Sequence, residues 1–299
     1  MLYVVHKDGN EDYICTTDTI DFHEELRKNG ATVMTETAFQ PVIPNLQATD
    51  VVMIHVGLGN EVTRMGLKHF SGRKLLFTID ECKSDGILFR THRELCEQID
   101  CKEMILSYPS DRNVKFLQEH GYKTIAYNPS NVIRTYREKK YDIIISGQMD
   151  RAYYPTRVHI AEIVLRNKHR WNVVHLPHPG FELSKATHQY TGEKYRELLD
   201  ECRIGVACKA GWRDRLVAKY IELGASWCLP IGDAPSYMHP LMVEYMILVD
   251  SNTPEAEVVL KIDEALENIE SRRDSYTAMC LCEHDLSTNV SKLVKELTG

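Results

Sequence analysis

Arg215, Lys219 and Glu222 stand at i, i+4 and i+7 in the stretch 211–224. Read as a helix over 214–223, they share one arc, and Leu216, Val217, Tyr220, Ile221 and Leu223 share the opposite, apolar one. Two cations followed by a carboxylate match the order of groups in a nucleoside diphosphate. Guanidinium and ammonium suit the phosphates. The carboxylate accepts hydrogen bonds from the paired ribose hydroxyls. Arg213 adds a third cation just ahead of the helix. The same pattern also describes a solvated helix face carrying a Lys219–Glu222 ion pair.

Other chemistry-bearing residues fall in loops that follow apolar runs. The run 142–146 leads into Gly147, Gln148 and Arg151. Gly147 permits a close approach of backbone to ligand, and Arg151 offers a cation. Arg157 opens the next helix after Tyr154-Pro155-Thr156 and is a phosphate or acceptor-side contact. His178, in Pro177-His178-Pro179-Gly180, and Asp80, at the end of the run 75–79, are the two candidate proton acceptors for an attacking hydroxyl. The run 51–56 leads into Gly57-Leu58-Gly59, two of the three glycines of a dinucleotide turn. Position 62, where the third would stand, is valine. Cys280, Cys282 and His284 offer three metal ligands without a fourth. No metal site or cofactor is expected, and no Asp-x-Asp motif is present.

These residues need elements to position them, and strand-like and helix-like runs alternate almost throughout. Strands are expected over 3–6, 32–34, 51–56, 75–79, 103–107 and 124–127. They recur over 141–146, 172–176, 204–207, 227–230 and 245–249. Helices are expected between them, with Asn29-Gly30, His120-Gly121 and Gly224 as stop signals. This is the pattern of a mostly parallel sheet with helices on both faces. It breaks at residues 128–131 and a charged stretch, then restarts at 141. Two domains are therefore expected, 1–138 and 139–299, with the C-terminal helix free to pack back on the first. In such sheets ligands bind beyond the carboxyl ends of the strands, where all the loops above lie.

Composition narrows the function. The chain has 299 residues, 43 acidic against 36 basic, for a formal charge of −7. That disfavours a broad polyanion-binding surface, so no nucleic-acid partner is expected. Nine scattered cysteines without a Cys-x-x-Cys pair suit free thiols. No apolar stretch is long enough to span a bilayer, and the first nine residues lack the pattern of a signal peptide. A cytoplasmic protein is the expectation.

Residues 141–250 resemble the donor-binding domain of GT-B glycosyltransferases, and most of all the CgeB-like, GT4-like group. The resemblance rests on Tyr141-Asp142-Ile143 through Gly147, on Tyr154-Pro155-Thr156-Arg157, and on Arg215, Lys219 and Glu222 in that order. It implies two Rossmann-like, doubly wound α/β domains facing a cleft. It also implies transfer of a sugar from a UDP- or GDP-sugar to a glycan or other hydroxyl, without a metal. Arg215 and Lys219 would hold the diphosphate, Glu222 the ribose, and Gly147 would lie against the phosphates. Gly57, Gly59 and Arg157 would serve the acceptor side. The alternatives are a nicotinamide-dependent oxidoreductase, a sugar-nucleotide epimerase and a non-catalytic two-lobed binding protein.

Overall fold

The computed structural model describes residues 1–8, 17–55, 57–78, 87–107, 111–127, 130–178, 190, 192–210, 214 and 216–299. They form two compact units. The first contains strands β1 (Leu2–His6), β2 (Thr32–Thr35), β3 (Val51–His55), β4 (Arg73–Thr78), β5 (Glu103–Ser107) and β6 (Lys123–Tyr127). Its helices are α1 (Thr17–Lys28), α2 (Glu36–Phe39), α3 (Glu61–His69), α4 (Ile87–Ile99) and α5 (Asp111–Glu119). The second contains β7 (Tyr141–Gly147), β8 (Val173–Pro177), β9 (Cys202–Val206), β10 (Leu229–Gly232) and β11 (Ile247–Leu248). Its helices are α6 (Pro155–Arg166), α7 (Glu193–Asp200), α8 (Ala218–Ala225), α9 (Pro240–Tyr245), α10 (Glu255–Glu267) and α11 (Ile269–His284). The last helix, α12 (Leu286–Thr298), belongs to the first unit, where Ser287 Oγ donates to Glu25 of α1 at 2.8 Å.

The second unit starts at Ser130, at the break in the pattern and ahead of the expected division at 138/139. Residues 130–138 lie with the second unit, because Asn131 N donates to His284 O and Arg134 N to Ala225 O. Their charge made them look like a linker, yet backbone bonds tie them to the second unit.

Both sheets are wholly parallel. The first runs β2-β1-β3-β4-β5-β6 and the second β11-β10-β9-β7-β8. Alternate strand residues serve opposite faces. Val4, Met53, Leu75 and Ile105 pack with α1 and α12, while Val5, Val52, Leu76 and Met104 pack with α3, α4 and α5. Burial on both faces is why these strands read as continuous apolar runs rather than alternating ones. In each sheet the chain turns back at its first strand, so the crevices that bind ligands in such folds open between β1 and β3 and between β7 and β9.

Gly30 and Gly121 end α1 and α5 as expected, with φ of +86° and +82°. Gly224 does not end α8. It lies inside the helix, where a Cβ would meet Cys280 Sγ at 2.2 Å and the Tyr276 ring at 2.9 Å, so its role is close packing of α11 on α8. The left-handed residue that closes α8 is Trp227, at φ +54°. Its indole Nε1 donates to Arg134 O at 2.6 Å and holds it there.

Candidate functional site

The carboxyl end of the second sheet gathers the site. Strand register pairs Gly147 with Pro177, which brings the residues after β7 beside His178. Gly147 has φ +99°, and a Cβ there would sit 2.9 Å from Arg157 Nη1. The bare backbone thus lets the guanidinium lie flat against the strand end. Arg157, in the first turn of α6, is 4% exposed. Nη1 donates to Gln148 O at 3.1 Å, and the guanidinium carbon lies 4.2 Å from the centre of the Tyr154 ring. Nε has no hydrogen-bond partner, and among the described residues no carboxylate pairs with this cation. A buried charge without a counter-ion is costly unless a ligand supplies one. Arg157 therefore sits in the second unit against Gly147.

Lys219 and Glu222 come together on α8. Lys219 Nζ donates to Glu222 Oε2 at 2.6 Å and also to Tyr195 Oη, which is 2.9 Å from Ser146 Oγ at the end of β7. Burial alone would lower the Lys219 pKa. The Glu222 carboxylate and the Tyr195 hydroxyl outweigh burial and hold the ammonium above its ordinary range. The Tyr195 hydroxyl is itself pushed up, chiefly by burial. The expected helix over 214–223 starts late, at Ala218, with Val217 extended at φ −97° and ψ 155°. The reason is Asp214: its carboxylate accepts from Ser236 N at 3.0 Å and from Ser236 Oγ, so it anchors a loop instead of capping the helix. Arg215 and Arg213 lie outside the described residues, as does Asp80.

Asp233 follows β10. It accepts from Lys209 N at 3.0 Å and from Thr156 Oγ1 at 2.9 Å, joining the ends of β9, β10 and α6. Burial raises its pKa against those two bonds. His178 is held below its ordinary pKa, first by burial and then by the nearby charges of Lys219 and Arg157. Its imidazole is thus uncharged at neutral pH and within electrostatic reach of both cations. Arg151 does not join the group. It is exposed and paired with Glu162 on α6. Nothing local in the sequence marked Tyr195, whose partners lie 24 and 49 residues away. Cys280 is buried and Cys282 exposed on α11, so the two thiols do not converge.

In the first unit, Gly57 takes φ +130°. The amides of Gly59 and Asn60 donate to the two Glu36 oxygens at 2.8 and 2.6 Å, with Glu36 2% exposed. An internal carboxylate therefore fills the position that a dinucleotide pyrophosphate would take, which argues against the nicotinamide alternative. Beside it, His6 and His55 close β1 and β3 in register, with His23 of α1 against both. His23 Nε2 and His55 Nδ1 are 2.9 Å apart. The His55 pKa falls well below its ordinary 6.5, first through burial and then through His23 and His6. The folded form therefore favours the neutral ring. Its contribution to stability is complete above pH 6.5 and is lost as pH falls from there toward the folded-state value. The expected result is an unfolding temperature that drops below pH 6.5, with a flatter slope in His55→Phe; equal slopes in variant and wild type would remove His55 as the cause.

No protein-family model and no curated protein matches the chain. Solved structures do match across its whole length. An alpha-glucosyltransferase (AGT) in complex with UDP gives a TM-score of 0.67 at 12% identity, covering 100% of this chain and 99% of that one. Anabaena HepE in complex with UDP gives 0.59 at 8%, covering 99% of each chain. WaaG, a glycosyltransferase involved in lipopolysaccharide biosynthesis, gives 0.55 at 10%, covering 100% of each. At such identities the likeness speaks to architecture, and together with the two parallel sheets it establishes the GT-B fold, two doubly wound α/β domains in one chain.

Proposed function

We propose that this protein is a glycosyltransferase that takes its sugar from a nucleoside-diphosphate sugar, UDP-linked in the first instance. The observation that carries the reading is Arg157: a buried guanidinium without a carboxylate partner among the described residues, laid against Gly147 at the crevice between β7 and β9. Lys219 stands in the same group, and structures of the same fold contain UDP or UDP-glucose. Within this reading Arg157 and Lys219 face the diphosphate and Glu222 the ribose hydroxyls. His178, uncharged, accepts a hydroxyl hydrogen of the sugar.

In the reaction, the bond from the sugar's anomeric carbon to the diphosphate breaks, and its electron pair leaves with the diphosphate. A new bond forms to the acceptor oxygen, whose proton passes to a base. Negative charge grows on the leaving group, so fixed cations there stabilise the transition state more than the ground state. Asp80 is our candidate base and a glycan or other hydroxyl our candidate acceptor. The two cations are supplied by the chain, so the step is written without a metal.

Thermal shift against UDP, GDP, ADP and NAD(P) at millimolar concentration tests the reading. A rise with UDP and none with nicotinamide cofactors is expected; no rise with any nucleoside diphosphate sinks it. Turnover of UDP-sugars with release of UDP then separates an enzyme from a binding protein. Glu222→Ala should weaken uridine, the half of UDP that carries the ribose, about tenfold or more. The ribose bonds it removes are charge-assisted, worth about 1.5–3 kcal/mol. The ion pair it breaks is mostly buried, so stability falls as well, by less than the about 3–5 kcal/mol of a fully buried pair because Tyr195 Oη still accepts from the ammonium. Equal uridine affinity in Glu222→Ala and wild type would return the Lys219–Glu222 pair to a plain helix-surface contact.

A further inference from the structure

Within the donor reading above, Lys219 and Glu222 have different tasks, one toward phosphate and one toward ribose. In the structure they neutralise each other, at 2.6 Å and with side chains only 15% and 20% exposed. The ammonium has a second holder. It donates to Tyr195 Oη and lies 4.6 Å from the centre of that ring, and Tyr195 is tied in turn to Ser146 at the end of β7.

We propose that the Lys219–Glu222 pair is an internal latch which only a ligand carrying both ribose and diphosphate opens without loss, and that Tyr195 is the positioning residue that keeps Lys219 aimed once Glu222 has turned to the ribose. The partner exchange balances for a whole nucleoside diphosphate. The ribose hydroxyls give Glu222 donors in place of the ammonium, and the phosphates give Lys219 acceptors in place of the carboxylate. Half-ligands break the balance. A nucleoside draws Glu222 away and leaves Lys219 without a counter-ion. Pyrophosphate reaches Lys219 only beside the Glu222 carboxylate, which repels it.

Glu222→Gln should therefore move the two half-ligands in opposite directions. Calorimetric titration of the full-length protein at fixed ionic strength is the measurement, with uridine, inorganic pyrophosphate and UDP as probes. Glu222→Gln is expected to bind pyrophosphate about fivefold tighter, by removing one like charge and freeing the ammonium, and uridine about fivefold weaker. Tyr195→Phe keeps the ring and removes the hydroxyl. It should weaken pyrophosphate and UDP about fivefold and leave uridine within about twofold, since only the aim of Lys219 has changed. A merely structural Tyr195 would shift all three probes together with the unfolding temperature. Should Glu222→Gln weaken both half-ligands, or leave pyrophosphate unchanged while wild type binds UDP, the latch is wrong and the donor reading stands. Should wild type bind no UDP at all, the donor reading falls and takes the latch with it.

Discussion

Arg157→Met is expected to be at least as stable as wild type and to bind UDP about 100-fold more weakly. The two effects have separate origins. A buried cation without a counter-ion carries a desolvation cost that an apolar side chain of similar length does not. Methionine fills the space beneath Gly147 and relieves that cost. What the folded protein loses is the stacking on Tyr154, worth about 0.5–2 kcal/mol, and the bond to Gln148 O. The ligand loses more. A guanidinium facing a diphosphate makes two charge-assisted hydrogen bonds, and losing them costs about 3 kcal/mol, or roughly two powers of ten in affinity. Arg157→Lys should recover only part, because an ammonium lacks the planar fork that meets two oxygens at once. Calorimetric titration with UDP and thermal unfolding of the same samples decide it. UDP binding unchanged in Arg157→Met would mean that this cation serves the fold alone, and the proposed function would lose its main support.

The legible part of this chain was local. Apolar runs such as Ile143-Ile144-Ile145 read as strands because both faces of a parallel sheet are buried. Gly30 and Gly121 read as helix ends because a left-handed residue is needed there. The illegible part was set by partners far away in sequence. Asp214 looked like part of a helix, and only its bond to Ser236, 22 residues on, shows why α8 starts at Ala218. Gly57 and Gly59 read as two glycines of a dinucleotide turn, and the carboxylate that engages the Gly59 and Asn60 amides comes from Glu36, more than 20 residues earlier. Arg157 was visible as a cation, but its contacts with Gly147 and the Gln148 carbonyl were not. Lys219 and Glu222 were read correctly as neighbours on one face. What spacing along a helix does not carry is the tyrosine from another helix that completes the group.

Gly232→Ala should be the most damaging single methyl in the second unit. A Cβ on Gly232 would stand 1.7 Å from Ala207 O and 2.9 Å from Ala207 C, both backbone atoms, so no side-chain rotation relieves the clash. Ala207 N donates to Ile231 O at 3.0 Å and Val249 N to Gly232 O at 3.0 Å, which fixes the backbone from both sides. The methyl must part β9 from β10. That movement carries Asp233 off Lys209 N and Thr156, the bonds that set the loops around the donor site. Overpacking of this kind costs about 3 kcal/mol, a large share of the roughly 5–15 kcal/mol that keeps a domain folded. Gly30→Ala is the matched control. Gly30 has φ +86°, but a Cβ there would meet nothing within 4 Å, so only backbone strain of about 1 kcal/mol is added. Hydrogen exchange at the β9 and β10 amides, read beside UDP binding, should show faster opening and weaker binding in Gly232→Ala. Gly30→Ala should show neither. If the two alanines cost the same, backbone conformation rather than the close approach of β9 and β10 accounts for the glycine at 232.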